Sequence, residues 1–172
     1  MAGRIELNRL KEIMKYDSET GVFNYLVNRG PQRKAGDVVG FVSPKSFHNG
    51  GGYRIISVCG REYAAHQLAW FYVHGEWPKG RIDHINVQRD DNRITNLREA
   101  THSQNMANRS TQANNTSGLK GASFHKKARK WVSCIQKEGE YIYLGLHETK
   151  ELAHAAYCNA ARNLFGEFAR VV

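Results

Sequence analysis

A polar segment in the second half of the sequence constrains the fold of this chain more than any other feature. The segment Thr111–Gly118 (TQANNTSG) is poor in apolar side chains and lies between stretches with regular apolar patterns. This composition is typical of a flexible linker. A chain of 172 residues is long enough for one compact domain or for two small ones. We therefore predict two small parts that are joined at this segment.

The charge of the chain indicates the class of its partner. There are 25 Lys and Arg residues against 16 Asp and Glu residues, which gives a formal net charge of +9. A protein this basic attracts polyanions over long distances, and nucleic acid is favoured over membrane headgroups. Residues 109–131 contain six basic residues and no acidic one. A solvated loop surface is the alternative explanation of that run.

Other sequence features exclude several classes of protein. No apolar run approaches the about 20 residues of a membrane span, and the N-terminus lacks the apolar stretch of a signal peptide. The cysteines, Cys59, Cys134 and Cys158, are widely separated. They indicate neither a disulfide framework nor a four-thiolate zinc site. We expect a cytoplasmic protein, in the host cytoplasm if a phage encodes it, with no membrane partner.

The first half of the chain alternates short helix-like and strand-like segments. The predicted elements are a helix over Ile5–Tyr16, strands over Val22–Val27 and Asp37–Ser43, a turn over Pro44–Gly52, strands over Tyr53–Val58 and Arg61–Ala64, and a helix over His66–His74. Cys59-Gly60 is a connection of hairpin length with Gly where a positive φ is needed, so the flanking strands are predicted to pair. Gly75 is placed to end the second helix. We interpret His66 and His74 as structural residues.

Three strands and one helix are predicted after the polar segment. The strands are Gly121–His125, Lys130–Lys137 and Glu140–Leu146, and the helix covers Lys150–Leu164 with Thr149 as its N-cap. Because side chains alternate across a sheet, residue parity separates two faces. The face predicted to pack on the helix has Phe124, Trp131, Ile135, Ile142 and Leu144. The opposite face has Ser123, His125, Cys134, Gln136, Tyr141 and Tyr143, beside the basic run, and it suits sugar, phosphate and base contacts.

Residues 80–105 (GRIDHINVQRDDNRITNLREATHSQN) carry the most specific pattern of the sequence. Asp83-His84 ends a strand, a polar loop follows, Asn96 begins a second strand, and Asn105 lies on a helix that begins near Thr101. Each feature alone more often marks a turn or a helix cap. In this order and spacing, they resemble the HNH nucleases with their ββα-metal fold, and in particular the phage and intron-borne homing endonucleases. The resemblance covers about residues 53–109.

The resemblance implies a role for each motif residue. His84 is the general base, a role that suits an imidazole that is neutral near pH 7. Asp83 and Asn105 are two hard oxygen ligands for one Mg²⁺, with Mn²⁺ as a substitute, and a set without thiolates argues against structural zinc. Asn96 completes the catalytic set and is expected to tie the loop between the strands by hydrogen bonds. Many family members have His where this sequence has Asn105.

A second resemblance concerns the C-terminal part. Residues 117–168 look like an Apetala-two/ERF-type DNA-binding domain, with the landmarks Lys130-Trp131, Tyr143-Leu144-Gly145, Ala156-Tyr157 and Gly166. The residues predicted to bind DNA are Lys120, Ser123, His125, Lys127, Arg129, Gln136, Tyr141 and Tyr143.

These observations predict an α+β protein with an HNH ββα-metal nuclease core followed by a three-stranded antiparallel sheet packed on one helix. The expected domains are a DNA-contacting extension (1–52), the nuclease core (53–110), a linker (111–119) and the DNA-binding domain (120–172). The expected function is a homing-type endodeoxyribonuclease that acts on double-stranded DNA as a monomer, needs no small-molecule cofactor, and leaves 5′-phosphate and 3′-hydroxyl ends. The alternatives are a sequence-specific DNA-binding regulator with an inactive nuclease core and a binder of structured RNA.

Overall fold

The chain folds into two compact units, Met1–Glu99 and Ala100–Val172, which we call the first and the second unit. The computed structural model describes residues 4–44, 51–111 and 114–171. Short helices and small antiparallel sheets confirm the α+β class. The predicted turn at 44–52 and the predicted linker at 111–119 lie partly outside the described residues. The division between the units falls before the linker, so the predicted domain limits stay a prediction.

The first unit contains two helices and most of the short strands. In chain order, the elements are α1 (Leu7–Ile13), β1 (Met14–Asp17), β2 (Val22–Tyr25), β3 (Phe41–Val42), β4 (Arg54–Val58), β5 (Arg61–Ala64), α2 (Ala65–His74), β6 (Arg81–His84) and β7 (Leu97–Ala100), which ends at the unit boundary. Strand β1 pairs with β2, β3–β4–β5 form an antiparallel sheet, and β6 pairs with β7. The hydrophobic core of this unit contains residues from both helices and from the strands.

Two local predictions in the first unit are confirmed and one is wrong. Cys59 and Gly60 have positive φ angles of 50° and 74° and join β4 to β5. Gly75, with φ 76°, ends α2. The predicted helix at Ile5–Tyr16 ends early at Ile13, and Met14–Asp17 is a strand instead. Burial alternates along that strand, and the Tyr16 hydroxyl donates a hydrogen bond to the backbone oxygen of Asn92 (2.6 Å).

The second unit has the predicted sheet and helix. Its elements are α3 (His102–Asn108), β8 (Ala122–His125), β9 (Lys130–Lys137), β10 (Glu140–His147) and α4 (Lys150–Phe165). The antiparallel sheet has the order β10–β9–β8, and α4 packs on it. The Thr149 hydroxyl accepts a hydrogen bond from the backbone N–H of Leu152 (3.3 Å), as expected of an N-cap.

At one end of this sheet, the buried residues differ from those predicted to pack on the helix. Ile135 is buried as predicted, but Phe124 is 51% exposed, and its ring packs edge-on against Trp131. Ala122 and Ser133, which pair across β8 and β9, are the buried residues there. The register of β10 shifts between Tyr143 and Gly145. The alternation of side chains predicts the two faces of a strand only where the strand is regular. One extra residue at a bulge reverses the faces beyond it.

No helix among residues 4–44, 51–111 and 114–171 is both long and apolar enough to cross a membrane.

Two glycines with nearly the same backbone angle allow a matched test of close packing. Gly21 (φ +73°) lies where a Cβ would collide with the backbone of Asn92 and Arg93, whereas a Cβ at Gly60 (φ +74°) would have no described atom within 4 Å apart from those of Gly60 and its two chain neighbours. We expect Gly60→Ala to lower the free energy of unfolding by about 1–2 kcal/mol because of its left-handed conformation. Gly21→Ala should cost about 1–3 kcal/mol more because of the collision. Urea unfolding of both variants measures this difference, and equal losses would contradict it.

Candidate active site

Two adjacent polar residues are buried at the end of strand β6. Asp83 and His84 are each only 5% exposed. The strand continues into the loop that leads to β7, and the backbone N–H of Ile85 donates to the backbone oxygen of Asn96 (2.9 Å). Burial of a carboxylate and an imidazole costs free energy unless each has polar partners. The partners of these two side chains therefore define the candidate site.

Asn92 fixes the orientation and the tautomer of His84. The side-chain oxygen of Asn92 is 3.3 Å from Nε2 of His84, and its Nδ2 donates to the backbone oxygen of Asp90 (3.1 Å). Because the Asn92 oxygen can only accept, Nε2 of His84 carries the proton, and Nδ1 is the basic nitrogen of the neutral ring. Asn92 is 1% exposed. Asn92 lies in the loop between the two motif strands, and its position in the sequence does not by itself predict this contact.

Burial also sets the charge of His84. Burial lowers the pKa of His84 below its ordinary value, and the hydrogen bond with Asn92 and the carboxylate of Asp83 oppose that shift. The ring is therefore neutral at pH 7, which is the form that a general base requires.

Asp83 is held by an arginine from the neighbouring strand. Its Oδ2 accepts a hydrogen bond from Nε of Arg98 at 3.0 Å, and both side chains are largely buried. A buried carboxylate is tolerated when a cation accompanies it. Arg98 directly follows the Asn96-Leu97 pair of the motif, and its role as the partner of Asp83 depends on the pairing of β6 with β7.

Asn96 binds the loop that precedes it. Its side-chain oxygen accepts from the backbone N–H of Asn86 (3.0 Å), and its Nδ2 donates to Asn86 Oδ1 (3.0 Å) and to the backbone oxygen of Asp91 (2.8 Å). These three bonds connect the residue that immediately precedes β7 to the loop that carries Asn92. Asn96 thereby acts on His84 through the loop.

A second histidine and a tyrosine surround His84. The ring of His66 packs edge-on against His84 (centroids 5.1 Å), and Tyr53 lies 5.2 Å from His66 and 5.9 Å from His84. The guanidinium of Arg89 stacks on Tyr53 at 4.9 Å. The buried Nδ1 of His66 has no hydrogen-bond partner within the described part of the chain. Desolvation lowers the pKa of His66 to about 3.

The residues predicted to hold a metal are divided between the two units. Asp83 lies on β6 of the first unit, and Asn105 lies on α3 of the second unit. Across residues 4–44, 51–111 and 114–171, no group of three or more His, Cys, Asp or Glu side chains could hold a metal ion. One carboxylate and one amide oxygen are nevertheless chemically suited to Mg²⁺, which keeps several water ligands.

Most residues predicted to contact DNA are exposed on the second unit. On the outer face of the sheet, Tyr141 pairs with Gln136 and Tyr143 pairs with Cys134, and the tyrosines are 76% and 63% exposed. The other exposed members of the predicted set are Ser123, His125, Lys127 and Arg129.

Lys120 differs from the other residues predicted to contact DNA, because its ammonium group is bound within the protein. Its ammonium group donates to the backbone oxygens of Ala107 (2.6 Å), Arg109 (2.8 Å) and Arg170 (3.2 Å). Burial and the neighbouring Arg170 and Arg109 lower its pKa to about 8. A half-buried ammonium with three protein acceptors is not available to a phosphate, so we assign Lys120 a structural role.

The buried His66 predicts a pH-dependent stability. Its pKa is about 3 in the folded chain against an ordinary value of 6.5, so the unfolded chain binds an additional proton between these pH values. The free energy of unfolding should therefore fall as the pH is lowered from 6.5, by up to about 1.4 kcal/mol per pH unit for this residue. His66→Gln should reduce this pH dependence, whereas His74→Gln, at an exposed position, should preserve it. Chemical unfolding between pH 4 and 7 in EDTA measures the slopes, and equal slopes for the parent and His66→Gln would contradict this assignment.

Comparison with known proteins places these features in a family. A family profile described as HNH endonuclease matches residues 63–107, a range that includes Asp83, His84, Asn96 and Asn105. The profile ends at residue 107, and the Apetala-two/ERF resemblance of the second unit stays a prediction.

A relative from a phage covers more of the chain. Protein 3.8 of Escherichia phage T7 is 35% identical over 106 residues, which are 61% of this chain and 87% of that protein. No solved structure matches. Because most of the phage protein is covered at this identity, the chain belongs to the same family as protein 3.8 of phage T7, and residues 63–107 form an HNH endonuclease domain that contains the buried Asp83-His84 pair.

Proposed function

We propose that this protein is a Mg²⁺-dependent HNH DNA endonuclease of the homing type, encoded by a phage or an intron, whose second unit recognises the DNA site. The observation that carries the proposal is the buried, neutral imidazole of His84, which Asn92 orients beside the carboxylate of Asp83. All three residues lie within the range that matches the family.

His84 removes a proton from the attacking water in the proposed reaction. Nδ1 accepts that proton while the water oxygen bonds to phosphorus, and the bond from phosphorus to the 3′-oxygen breaks. The 3′-oxygen takes a proton from solvent, which leaves a 3′-hydroxyl end and a 5′-phosphate end. The hydrogen bond from Nε2 to Asn92 keeps the ring in place and stabilises the positive charge that it acquires.

Asp83 and Asn105 are the residues that we propose to hold the metal. When bound, Mg²⁺, or Mn²⁺ as a substitute, stabilises negative charge on the phosphate and on the departing oxygen. Arg98 positions the Asp83 carboxylate from the neighbouring strand. The assignment of Asn105 rests on its place in the family pattern.

Two exposed surfaces support the choice of double-stranded DNA as substrate. In the second unit, the outer face around Gln136, Tyr141 and Tyr143 is accompanied by the exposed cations Lys127 and Arg129. Cations position a phosphate backbone, and the amide and aromatic side chains contact bases.

The second surface belongs to the first unit, within residues 26–42. Its exposed apolar side chains are Leu26, Val27, Val38, Phe41 and Val42. The exposed cations Arg29, Arg33 and Lys34 lie in the same part of the chain. Exposed cations attract a phosphate backbone, and exposed apolar groups mark a surface that binds a partner. This surface supports a DNA-contacting role for residues 1–52.

One observation favours a regulator with an inactive nuclease core as the alternative. The Asp83 carboxylate is paired with Arg98, and a cation at this position competes with a metal ion for the same carboxylate. A regulator of this kind would bind its DNA site with or without Mg²⁺ and would leave every phosphodiester bond intact.

Replacement of His84 separates catalysis from binding. His84→Ala should lower the cleavage rate of a duplex substrate by about 10²-fold or more, because it removes the general base. Duplex affinity should stay within about twofold, since the exposed cations are unchanged. Single-turnover cleavage and a binding isotherm in EDTA measure the two effects, with His74→Ala as a control at an exposed histidine. A rate within a few-fold of the parent would assign His84 a structural role.

Two substitutions on the second unit distinguish base recognition from phosphate attraction. Gln136→Ala should relax the preference at one base pair, because an amide can pair with adenine through two hydrogen bonds. Lys127→Ala should weaken binding to all sequences and reduce the slope of log affinity against log salt by about 0.9. Isotherms on cognate and scrambled duplexes over a salt series measure both. Unchanged discrimination and slope would exclude this surface from the DNA contact.

A further inference from the structure

Helix α3 depends on its surroundings for stability. It has 7 residues, His102–Asn108, and it carries Asn105. An isolated helix shorter than about 12 residues is marginal in water even with favourable residues. A side chain on such a helix has a defined position only if other parts of the protein hold the helix. Contacts within the second unit supply this support at both ends and along one side.

The first turn of α3 is held by a capping box and by the sheet. The hydroxyl of Thr101 accepts from the backbone N–H of Gln104 (3.2 Å), and the side chain of Gln104 accepts from the backbone N–H of Thr101 (2.8 Å). The hydroxyl of Ser103 accepts from the backbone N–H of Glu138 (3.1 Å). Glu138 lies in the turn between β9 and β10, so this bond joins the start of α3 to the sheet.

Lys120 holds the other end of α3. Its ammonium donates to the backbone oxygens of Ala107 and Arg109, which are carbonyls at the end of the helix. A third bond to the backbone oxygen of Arg170 joins this end to the C-terminal segment. A cation at a helix C-terminus satisfies carbonyls that lack a helical partner and interacts favourably with the helix dipole.

The packing side of α3 belongs to the core of the second unit. Ala107 is buried in one cluster with Ile135 of β9 and with Tyr157, Ala161 and Phe165 of α4. The helix is therefore part of the fold that presents the outer face of the sheet.

We propose that the second unit positions the last motif residue of the nuclease, with Lys120 as the positioning residue that holds α3, and so contributes to catalysis as well as to DNA binding. This inference rests on the proposed function of Asn105 in metal-dependent cleavage. A chain that stops near Thr111 should accordingly be impaired in cleavage as well as in DNA binding. Such a chain would retain every motif residue but lose Lys120, Ile135, Glu138 and the whole of α4, and with them the support of α3.

The test uses the full chain with Lys120→Met, which removes the ammonium and keeps most of the aliphatic stem. Amide hydrogen exchange of α3 in metal-free protein reports on the helix directly and requires no activity. We expect protection of the α3 amides to fall by about tenfold or more, with the β4–β5 hairpin unchanged. Lys137→Met, a substitution of the same kind in the same unit, should leave both regions unchanged.

Kinetics then connect the helix to the reaction. Lys120→Met should lower kcat by about tenfold or more, because a small displacement of a residue that acts in the reaction has an effect of that size. The KM and the duplex affinity in EDTA should stay within about twofold, since the exposed DNA-contacting residues are unchanged. A uniform loss of kcat and affinity would indicate a merely structural role and overturn the proposal. Unchanged α3 protection, or lost protection with unchanged kcat, would also overturn it.

A second variant protects the test against a folding defect. If Lys120→Met does not fold, Ser103→Ala removes the acceptor at the other end of α3 and should produce the same pattern with a smaller amplitude. Absence of that pattern would overturn the proposal. If the parent chain cleaves no DNA, the proposed function fails and the positioning role fails with it, while hydrogen exchange still determines whether Lys120 holds α3.

Discussion

The hydrogen bond between Asn92 and His84 is the interaction on which the candidate active site depends. It determines that Nδ1 is the basic nitrogen of the ring, and distant parts of the first unit maintain it. Tyr16 on β1 donates to the backbone oxygen of Asn92, and Gly21 in the adjacent turn allows the backbone at Asn92 to approach closely. Asn96 secures the same loop from the position that immediately precedes β7. The tautomer of one histidine is thus set by the packing of a hairpin about 70 residues earlier in the chain.

Much of the local structure could be predicted from the sequence because short-range chemistry determines it. The Cys59-Gly60 turn, the end of α2 at Gly75 and the strands of the second unit follow from turn residues, from glycine at positive φ and from alternation. The strand at Met14–Asp17 could not be predicted, since its apolar residues also continue a helical stripe. The contact that selects the strand comes from Asn92, which is 76 positions away from Tyr16.

The candidate site was predictable in part for the same reason. Asp83 and His84 follow from the motif, but Asn92, Arg98 and His66 act through contacts between separate segments. Lys120 shows the reverse case, because a lysine in a basic run looks like a surface residue. Its acceptors come from positions 107, 109 and 170, and only the fold brings these carbonyls together.

Incubation of supercoiled plasmid with the protein, with Mg²⁺ or with EDTA, distinguishes a metal-dependent nuclease from a DNA-binding protein without nuclease activity. We expect nicked circles or linear DNA to accumulate only with Mg²⁺, and the new ends to be 5′-phosphate and 3′-hydroxyl. Plasmid that stays supercoiled in Mg²⁺, under conditions in which a mobility shift shows that the protein is bound, would contradict this expectation and identify the chain as a DNA-binding protein with an inactive core.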